Sequence, residues 1–320
     1  MKTITLSNDQ HTFDITKLVI GHTGCKKLVP LHSYVDQYFD AGGNCIDTAR
    51  LYDEGLDERA IGEYMKKRQN RDEIVIATKC AHYDRRIYPI QYRLSEAEIR
   101  SDVETSLREL DTDYIDVLFL HRDDIKRPVE EIMPVLHQFV KDGKVRAIGA
   151  SNWTAGRIQA ANHFAKENGL TTFSISQIHH SLALTTAAQS GDLSHVVMDD
   201  IEYAWYKDEK FPVMAWSPTG RGFFSKRASG MKLEDLGDKI KRYYGWLQEN
   251  NRRVDRVKEL AHTYKASVGA VVLSYLMSDE FVPTAAVAAF SKPEQFAEAL
   301  EATRLNLTAR DREFLEKGDI

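Results

Sequence analysis

Residues 74–121 open with Ile74-Val75-Ile76-Ala77-Thr78-Lys79 and close with Tyr114-Ile115-Asp116-Val117-Leu118-Phe119-Leu120-His121, with Ser95-Glu96-Ala97-Glu98 between. Both flanking runs are apolar nearly throughout, as in a strand covered on both faces. Ser95 and Glu98 stand at capping-box spacing, so each can satisfy an early backbone donor of a helix. Ile99, Val103, Leu107 and Leu110 then recur at helical spacing and form one buried stripe. Two buried strands joined by an amphipathic helix make a βα unit of a parallel sheet.

The same alternation runs outward in both directions. Strand-like runs fall at 18–21, 44–46, 145–150, 173–178, 212–216 and 282–287, and helical ones at 155–165, 254–264, 268–277 and 293–302. Pro128 opens another helix, Gly143 stops it, and Pro134 inside it should kink or split it, since an interior proline costs about 3 kcal/mol. With the two runs of the central unit the strands number eight, and eight βα units in 320 residues are most economically a (β/α)8 TIM barrel. An open doubly wound sheet is the alternative, weakened because no G-x-G-x-x-G follows a first strand. No composition break marks a linker, so residues 1–320 read as a single domain. The first nine residues are expected to pair with 11–15 as a hairpin under the barrel. Residues 179–210 and 217–252, after strands six and seven, read as long loops covering the active face.

Bulk properties exclude some functions. A formal charge of −5 and a pI near 6.1 argue against nucleic acid or an anionic membrane as the main partner. No apolar stretch approaches the roughly 20 residues that span a bilayer. The first residues lack a hydrophobic signal core, and Cys25, Cys45 and Cys80 form no close pair. A cytoplasmic protein with reduced thiols is the expectation.

Three of the strand-like runs end in chemistry. Asp47 follows Ile46, Lys79 follows Thr78, His121 follows Leu120, and Tyr52 lies five residues beyond Asp47. Singly, such an Asp is usually a turn residue, such a Lys a solvated end and such a His structural. At three consecutive strand ends of a barrel they converge on one mouth. A tyrosine is a poor acid at neutral pH, an adjacent ammonium favours the phenolate, and an adjacent carboxylate keeps that ammonium charged. With a histidine to orient a carbonyl, the set suits protonation of an oxyanion.

Here the sequence resembles the aldo-keto reductase superfamily. The matching blocks are Ile46-Asp47-Thr48-Ala49-Arg50-Leu51-Tyr52-Asp53-Glu54-Gly55-Leu56-Asp57-Glu58, then Ala77-Thr78-Lys79, Leu120-His121, and Gly143-Lys144-Val145-Arg146-Ala147-Ile148-Gly149-Ala150-Ser151-Asn152. They come in the family's order, and the match runs from about residue 15 to 310. The resemblance implies a barrel enzyme using NAD(P)(H) as hydride carrier. Tyr52 would be the general acid, Lys79 would tune it, Asp47 would hold Lys79, and His121 would orient the substrate carbonyl. It further implies that Ser151, Asn152 and Gln177 bond the nicotinamide carboxamide, that Trp216 stacks on the ring, and that Ser217, Pro218, Thr219, Gly220 and Arg221 wrap the pyrophosphate. Ser291, Gln295 and Glu298 match the adenosine block, while Ala289 and Ala299 stand where the family has Gly and Asn. Ser291 and Lys292, with Arg227, suit a 2′-phosphate, so NADP(H) is favoured over NAD(H).

On the substrate side, His22 after the first strand, Asp53 after Tyr52, and His179-His180 after the sixth strand depart from the usual aromatic, Gly and apolar residues. His22 and His180 are therefore candidate substrate contacts, and a small hydroxylated carbonyl or polyol, such as a sugar derivative, is the expected partner. Two other functions use the same residues. A metal-dependent barrel hydrolase would draw on the histidines and Asp47, but there is no H-x-H after strand one and Lys79 would repel a cation, so no metal is expected. A non-catalytic NADP(H)-binding regulatory module would need the cofactor pocket without turnover. Oligomeric state is not legible.

Overall fold

The computed structural model describes residues 1–21, 31–83 and 90–318. Among these residues are ten strands: β1 Thr3–Ser7, β2 Thr12–Thr16, β3 Leu18–Gly21, β4 Cys45–Asp47, β5 Val75–Cys80, β6 Ile115–Leu120, β7 Val145–Ser151, β8 Ile175–Gln177, β9 Val213–Trp216 and β10 Thr284–Ala288. Strands β3 to β10 are parallel, each beside its sequence neighbour, and β10 pairs with both β9 and β3 to close the barrel. This is the (β/α)8 architecture expected from the strand runs.

The first two strands form the expected antiparallel hairpin, with Thr3 opposite Thr16 and Ser7 opposite Thr12. Its Ile4, Leu6 and Ile15 are buried in the same apolar cluster as Val19, Cys45, Val75 and Val117 from the barrel strands. Sealing that end leaves the opposite, C-terminal mouth as the open one. Inside the barrel, Phe119 needs the room that Gly149 leaves. A Cβ on residue 149 would lie 2.6 Å from the Phe119 ring, well inside contact distance. A larger shell of aliphatic and aromatic side chains fills the space between strands and helices.

Local sequence explains most helix ends. Glu96–Glu109 starts at Ser95 with both capping-box bonds made, and buries Ile99 and Val103. Val129–Lys141 begins after Pro128 and is followed by Gly143 at φ +72°. The expected break at Pro134 does not divide this helix, which continues through it. One lost hydrogen bond is outweighed by the buried face of Ile132, Met133, Val135, Leu136, Phe139 and Val140. A second correction falls in residues 179–210, read as loop: they include the helix Asp200–Glu209, capped by Asp199. Only Tyr206 of that helix is buried, so no apolar stripe announced it. Helix Gln248–Tyr264 likewise starts earlier than its apolar residues indicate.

At the closed end, Asp116 is 1% exposed and holds the strands together by charge. It accepts from Arg71 and Arg146, both at 2.8 Å, and from the Ile76 backbone N–H at 2.9 Å. Asp116→Asn is expected to cost about 3 kcal/mol, because two guanidinium groups lose their counter-charge. Urea unfolding followed by circular dichroism checks it, and a loss under about 0.5 kcal/mol, the ordinary size for a surface change, would show that the pairs contribute little.

Candidate active site

Three adjacent strands deliver the polar set to the open mouth. Asp47 ends β4 and sits opposite Ala77, Lys79 lies near the end of β5 opposite Phe119, and His121 follows β6, its N–H bonded to the Cys80 carbonyl at 2.8 Å. Lys79 is 1% exposed and Asp47 3%. The Lys79 ammonium donates to both Asp47 carboxylate oxygens at 2.8 Å and to the Thr48 carbonyl at 2.6 Å. Burial works against its charge, but the Asp47 carboxylate and Tyr52 outweigh it, and the lysine titrates above its ordinary value. Its Nζ lies 5.0 Å from the centre of the Tyr52 ring. The His121 ring meets Tyr52 edge-on, with centroids 5.9 Å apart. The structure thus brings Asp47, Tyr52, Lys79 and His121 together.

Tyr52 is presented by a strained turn. Asp53, Glu54 and Gly55 have φ of +45°, +57° and +93°, and the first two lack glycine's freedom there. Arg50 holds this turn from behind: it donates to the Glu54 carbonyl and pairs with the buried Glu58 at 3.2 Å. Glycine suits position 55 because φ of +93° is a conformation that other side chains rarely adopt. Glu58 also accepts from Thr78 at 2.7 Å, tying the turn to β5 one residue before Lys79.

The mouth opens into a cleft of about 1180 Å³. Asp47, Tyr52 and His121 line it, together with Ser151, Asn152, Gln177 and Trp216. Gln177 gives its amide nitrogen to Asp47 at 2.7 Å, which leaves its carbonyl oxygen for any ligand and makes it a second support of the carboxylate. Asn152, in the left-handed region, donates to Ser151 Oγ at 3.0 Å. Trp216 is wedged between His179 and His195, with centroids 4.7 and 4.8 Å away. Ser217, Pro218, Thr219 and Arg221 line one arm of the cleft, and Ser291, Gln295 and Glu298 its far wall. Gly220 does not reach it. It is buried, and a side chain there would meet Ala183 and Tyr244.

The substrate candidates fare differently. His22 lies outside the described residues. His180 is buried away from the cleft wall, its ring 6.4 Å from Tyr275, and desolvation pushes its pKa down to about 4. Alternation along the chain past β8 turns the neighbour His179 inward instead. There it bonds Tyr244 at 3.0 Å, and burial with nearby positive groups lowers its pKa to about 3, so it backs Trp216 as a neutral ring.

Several wall residues escaped the sequence reading. Arg122, next to His121, donates to the His121 carbonyl at 2.9 Å and pairs with Asp192 at 3.5 Å. Asp192 also accepts from Tyr83 and Ser194, and lies 3.4 Å from His195. Burial opposes its charge, yet these hydrogen bonds and the charges of His195 and Arg122 hold its carboxyl well below the usual range. His82 packs edge-on against His121, with centroids 4.6 Å apart. Arg122 was visible beside His121. Tyr83, Asp192 and His195 lie in connections where no periodicity marks which side chain turns inward. Among the described residues, no group of His, Cys, Asp and Glu is arranged to hold a metal ion, and no helix is long and apolar enough to cross a membrane.

A closed parallel barrel here carries a buried lysine–carboxylate pair, a phenol and an imidazole at its C-terminal mouth. The chain belongs to the Aldo/keto reductase family, whose sequence profile matches residues 30–318. It is 32% identical over 249 residues to norsolorinic acid reductase of Aspergillus flavus, covering 76% of this chain and 60% of that protein. It is 30% identical over 295 residues to the aryl-alcohol dehydrogenase [NADP(+)] of Phanerodontia chrysosporium, covering 88% and 74%. An aryl-alcohol dehydrogenase of Pestalotiopsis microspora is 30% identical over 296 residues, 89% of this chain and 71% of the relative. The chain thus spans about 60% of the length of the norsolorinic acid reductases it matches.

Proposed function

We propose that this chain is an NADP(H)-dependent carbonyl reductase, interconverting an aldehyde or ketone and its alcohol, with Tyr52 as the general acid. The observation that carries this reading is the buried Lys79–Asp47 pair set beside Tyr52 and His121 at the head of a long cleft. Placing an ammonium at 1% exposure is costly without a partner, and here the partner also leaves the charge beside a phenol.

The cleft wall suits a nicotinamide dinucleotide. Trp216 Nε1 and Arg221 Nε are buried without a protein partner among the described residues, and both belong to side chains lining the cleft. When bound, the dinucleotide supplies or takes up the hydride. Trp216 offers a flat shelf for its ring, and Ser151, Asn152 and the Gln177 carbonyl oxygen offer partners for a carboxamide. Arg221 and Lys226 line the arm where a pyrophosphate would lie, and Ser291, Gln295 and Glu298 the adenosine end. Of the chain's own groups, His121 orients the carbonyl oxygen and Tyr52 delivers its proton there. Lys79 stays protonated throughout, held by Asp47, Gln177 supports that carboxylate, and the proton returns to Tyr52 from solvent.

The preference for NADP(H) is supported by the relative named for NADP(+) and by exposed Lys292 beside Ser291. Arg227 is less available than its sequence position indicates, since it donates to the Met231 carbonyl and Asn251. The polar wall of Tyr83, Ser190, Asp192 and His195 supports a hydroxylated small carbonyl or polyol, while the relatives' names point to aromatic ones.

Tryptophan fluorescence tests the cofactor reading. NADPH is expected to quench saturably and more tightly than NADH, and Trp216→Phe to lose most of the quench although Trp153, Trp205 and Trp246 remain. Absence of both quenching and calorimetric heat with either dinucleotide would overturn it.

A further inference from the structure

Three carboxylates line the cleft, Asp47, Asp192 and Glu298. Asp47 is matched by Lys79, and Asp192 by Arg122. Besides Arg122, the cations lining the cleft are Arg221, Lys226, Lys239 and Arg242. Among the described residues, Arg221, Lys226 and Arg242 have no carboxylate within ion-pair distance. Arg221 and Lys226 form one unit, Lys226 Nζ donating to the Arg221 carbonyl at 3.3 Å, in the arm assigned above to a pyrophosphate.

Arg242 has further contacts of its own. The Arg221 and Arg242 guanidinium carbons lie 5.0 and 5.7 Å from the centre of the same Tyr243 ring. Beyond Tyr243, Arg242 donates to the Ser190 carbonyl at 3.0 Å. It also closes on Gly191 so tightly that a Cβ there would lie 2.9 Å from its guanidinium carbon. The next residue is Asp192, which pairs with the Arg122 that follows His121. Arg242 therefore joins the 190–195 wall of the cleft, the wall tied to His121, while sharing the Tyr243 ring with Arg221.

We propose that Arg242 is an anion-binding residue at the substrate end of the cleft, and that the carbonyl substrate carries a carboxylate or phosphate. This rests on the reductase reading above. A guanidinium presents paired donors that match a carboxylate or phosphate in one plane. Tyr243, Gly191 and Ser190 already order this one, so less side-chain freedom is lost on binding. A neutral substrate of the same shape would cover the cation without pairing it, so the site also selects against uncharged carbonyls.

Two matched pairs of aldehydes test it with NADPH: 4-carboxybenzaldehyde against methyl 4-formylbenzoate, and glyceraldehyde 3-phosphate against glyceraldehyde. In the unaltered protein at least one charged member is expected to have the higher kcat/KM, by about tenfold or more, the lower range for a charged hydrogen bond. In Arg242→Met that charged-to-neutral ratio should fall about tenfold through KM, and Arg242→Lys should restore part of it. The preference should also weaken with added salt. The pair that responds identifies the anion.

Equal losses on both members, or no Arg242-dependent preference in either pair, would overturn the proposal. So would a raised Kd for NADPH in Arg242→Met with the ratio unchanged, which would assign Arg242 to the pyrophosphate. Turnover of the neutral aldehydes reports on the reductase reading separately. Calorimetry with 4-(hydroxymethyl)benzoate and 4-(hydroxymethyl)benzamide reads the anion site even without turnover: the benzoate should bind about tenfold tighter, and the difference should vanish in Arg242→Met. Far-UV circular dichroism checks that the variant is folded.

Discussion

Tyr52→Phe is expected to lower kcat for aldehyde reduction by about three orders of magnitude, within the range ascribed to a positioned general acid, while the Kd for NADPH changes less than about twofold. The substitution removes one oxygen and keeps the ring. The edge-on contact with His121 and the approach of the Lys79 ammonium to the ring face both survive. So does the turn, because Arg50, Glu58 and Gly55 fix the backbone rather than the phenol. What disappears is the proton that the carbonyl oxygen takes up, and no other donor at that place can replace it cheaply. His121 can polarise the oxygen, and Lys79 is held by Asp47 and Thr48. Stopped-flow single turnovers with preformed NADPH complex separate chemistry from binding. Full activity in the variant would end the Tyr52 assignment. A large loss of NADPH affinity with kcat retained would make Tyr52 a binding residue instead.

The barrel was legible because parallel strands buried on both faces leave continuous apolar runs, and each run here is bounded by turn or capping chemistry. Ser95 and Glu98 mark a helix start that the structure places at Glu96. Asp200–Glu209 was missed for the opposite reason: it buries only Tyr206, so tertiary contacts rather than a stripe hold it. Pro134 did not split its helix, since local propensity gave way to the burial of a strongly apolar face.

In the site, strand ends were easier to read than loops. Asp47, Lys79 and His121 are fixed by register, because a residue closing a barrel strand has one direction to face. His180 shows the limit. One step along the chain past β8 separates a ring that backs Trp216 from one packed near Tyr275, and sequence did not reveal that His179 rather than His180 turns toward Trp216. Asp192 and His195 come from an irregular connection and Arg242 from the short helical turn Lys241–Gly245, and their contacts with Arg122, Ser190 and Gly191 show that they share a wall with His121. Gln177 combines both cases: its place at the mouth follows from β8, but its bond to Asp47 needed coordinates.

That bond bears on the second large effect, which concerns stability as much as turnover. Lys79→Met should abolish most reduction, and it should also destabilise the fold by about 3–5 kcal/mol, the usual cost of leaving one member of a buried pair alone. Asp47, at 3% exposure, would keep the neutral Gln177 amide as a donor but lose its charged partner. Adding Asp47→Asn to Lys79→Met should recover most of the stability, since no isolated charge remains, but none of the activity, since the ammonium beside Tyr52 is still missing. The pH dependence of the pair has a definite sign. Lys79 titrates above its ordinary value of 10.5, so the stability it contributes is complete below that pH and is lost only as pH rises through the higher folded-state value. Unfolding in urea at neutral pH, with initial rates on the same samples, therefore measures both effects with Lys79 charged. A single variant as stable as the parent would show that Asp47 gives up its charge at little cost. A double variant that regained activity would remove Lys79 from the chemistry and leave it a structural counter-ion.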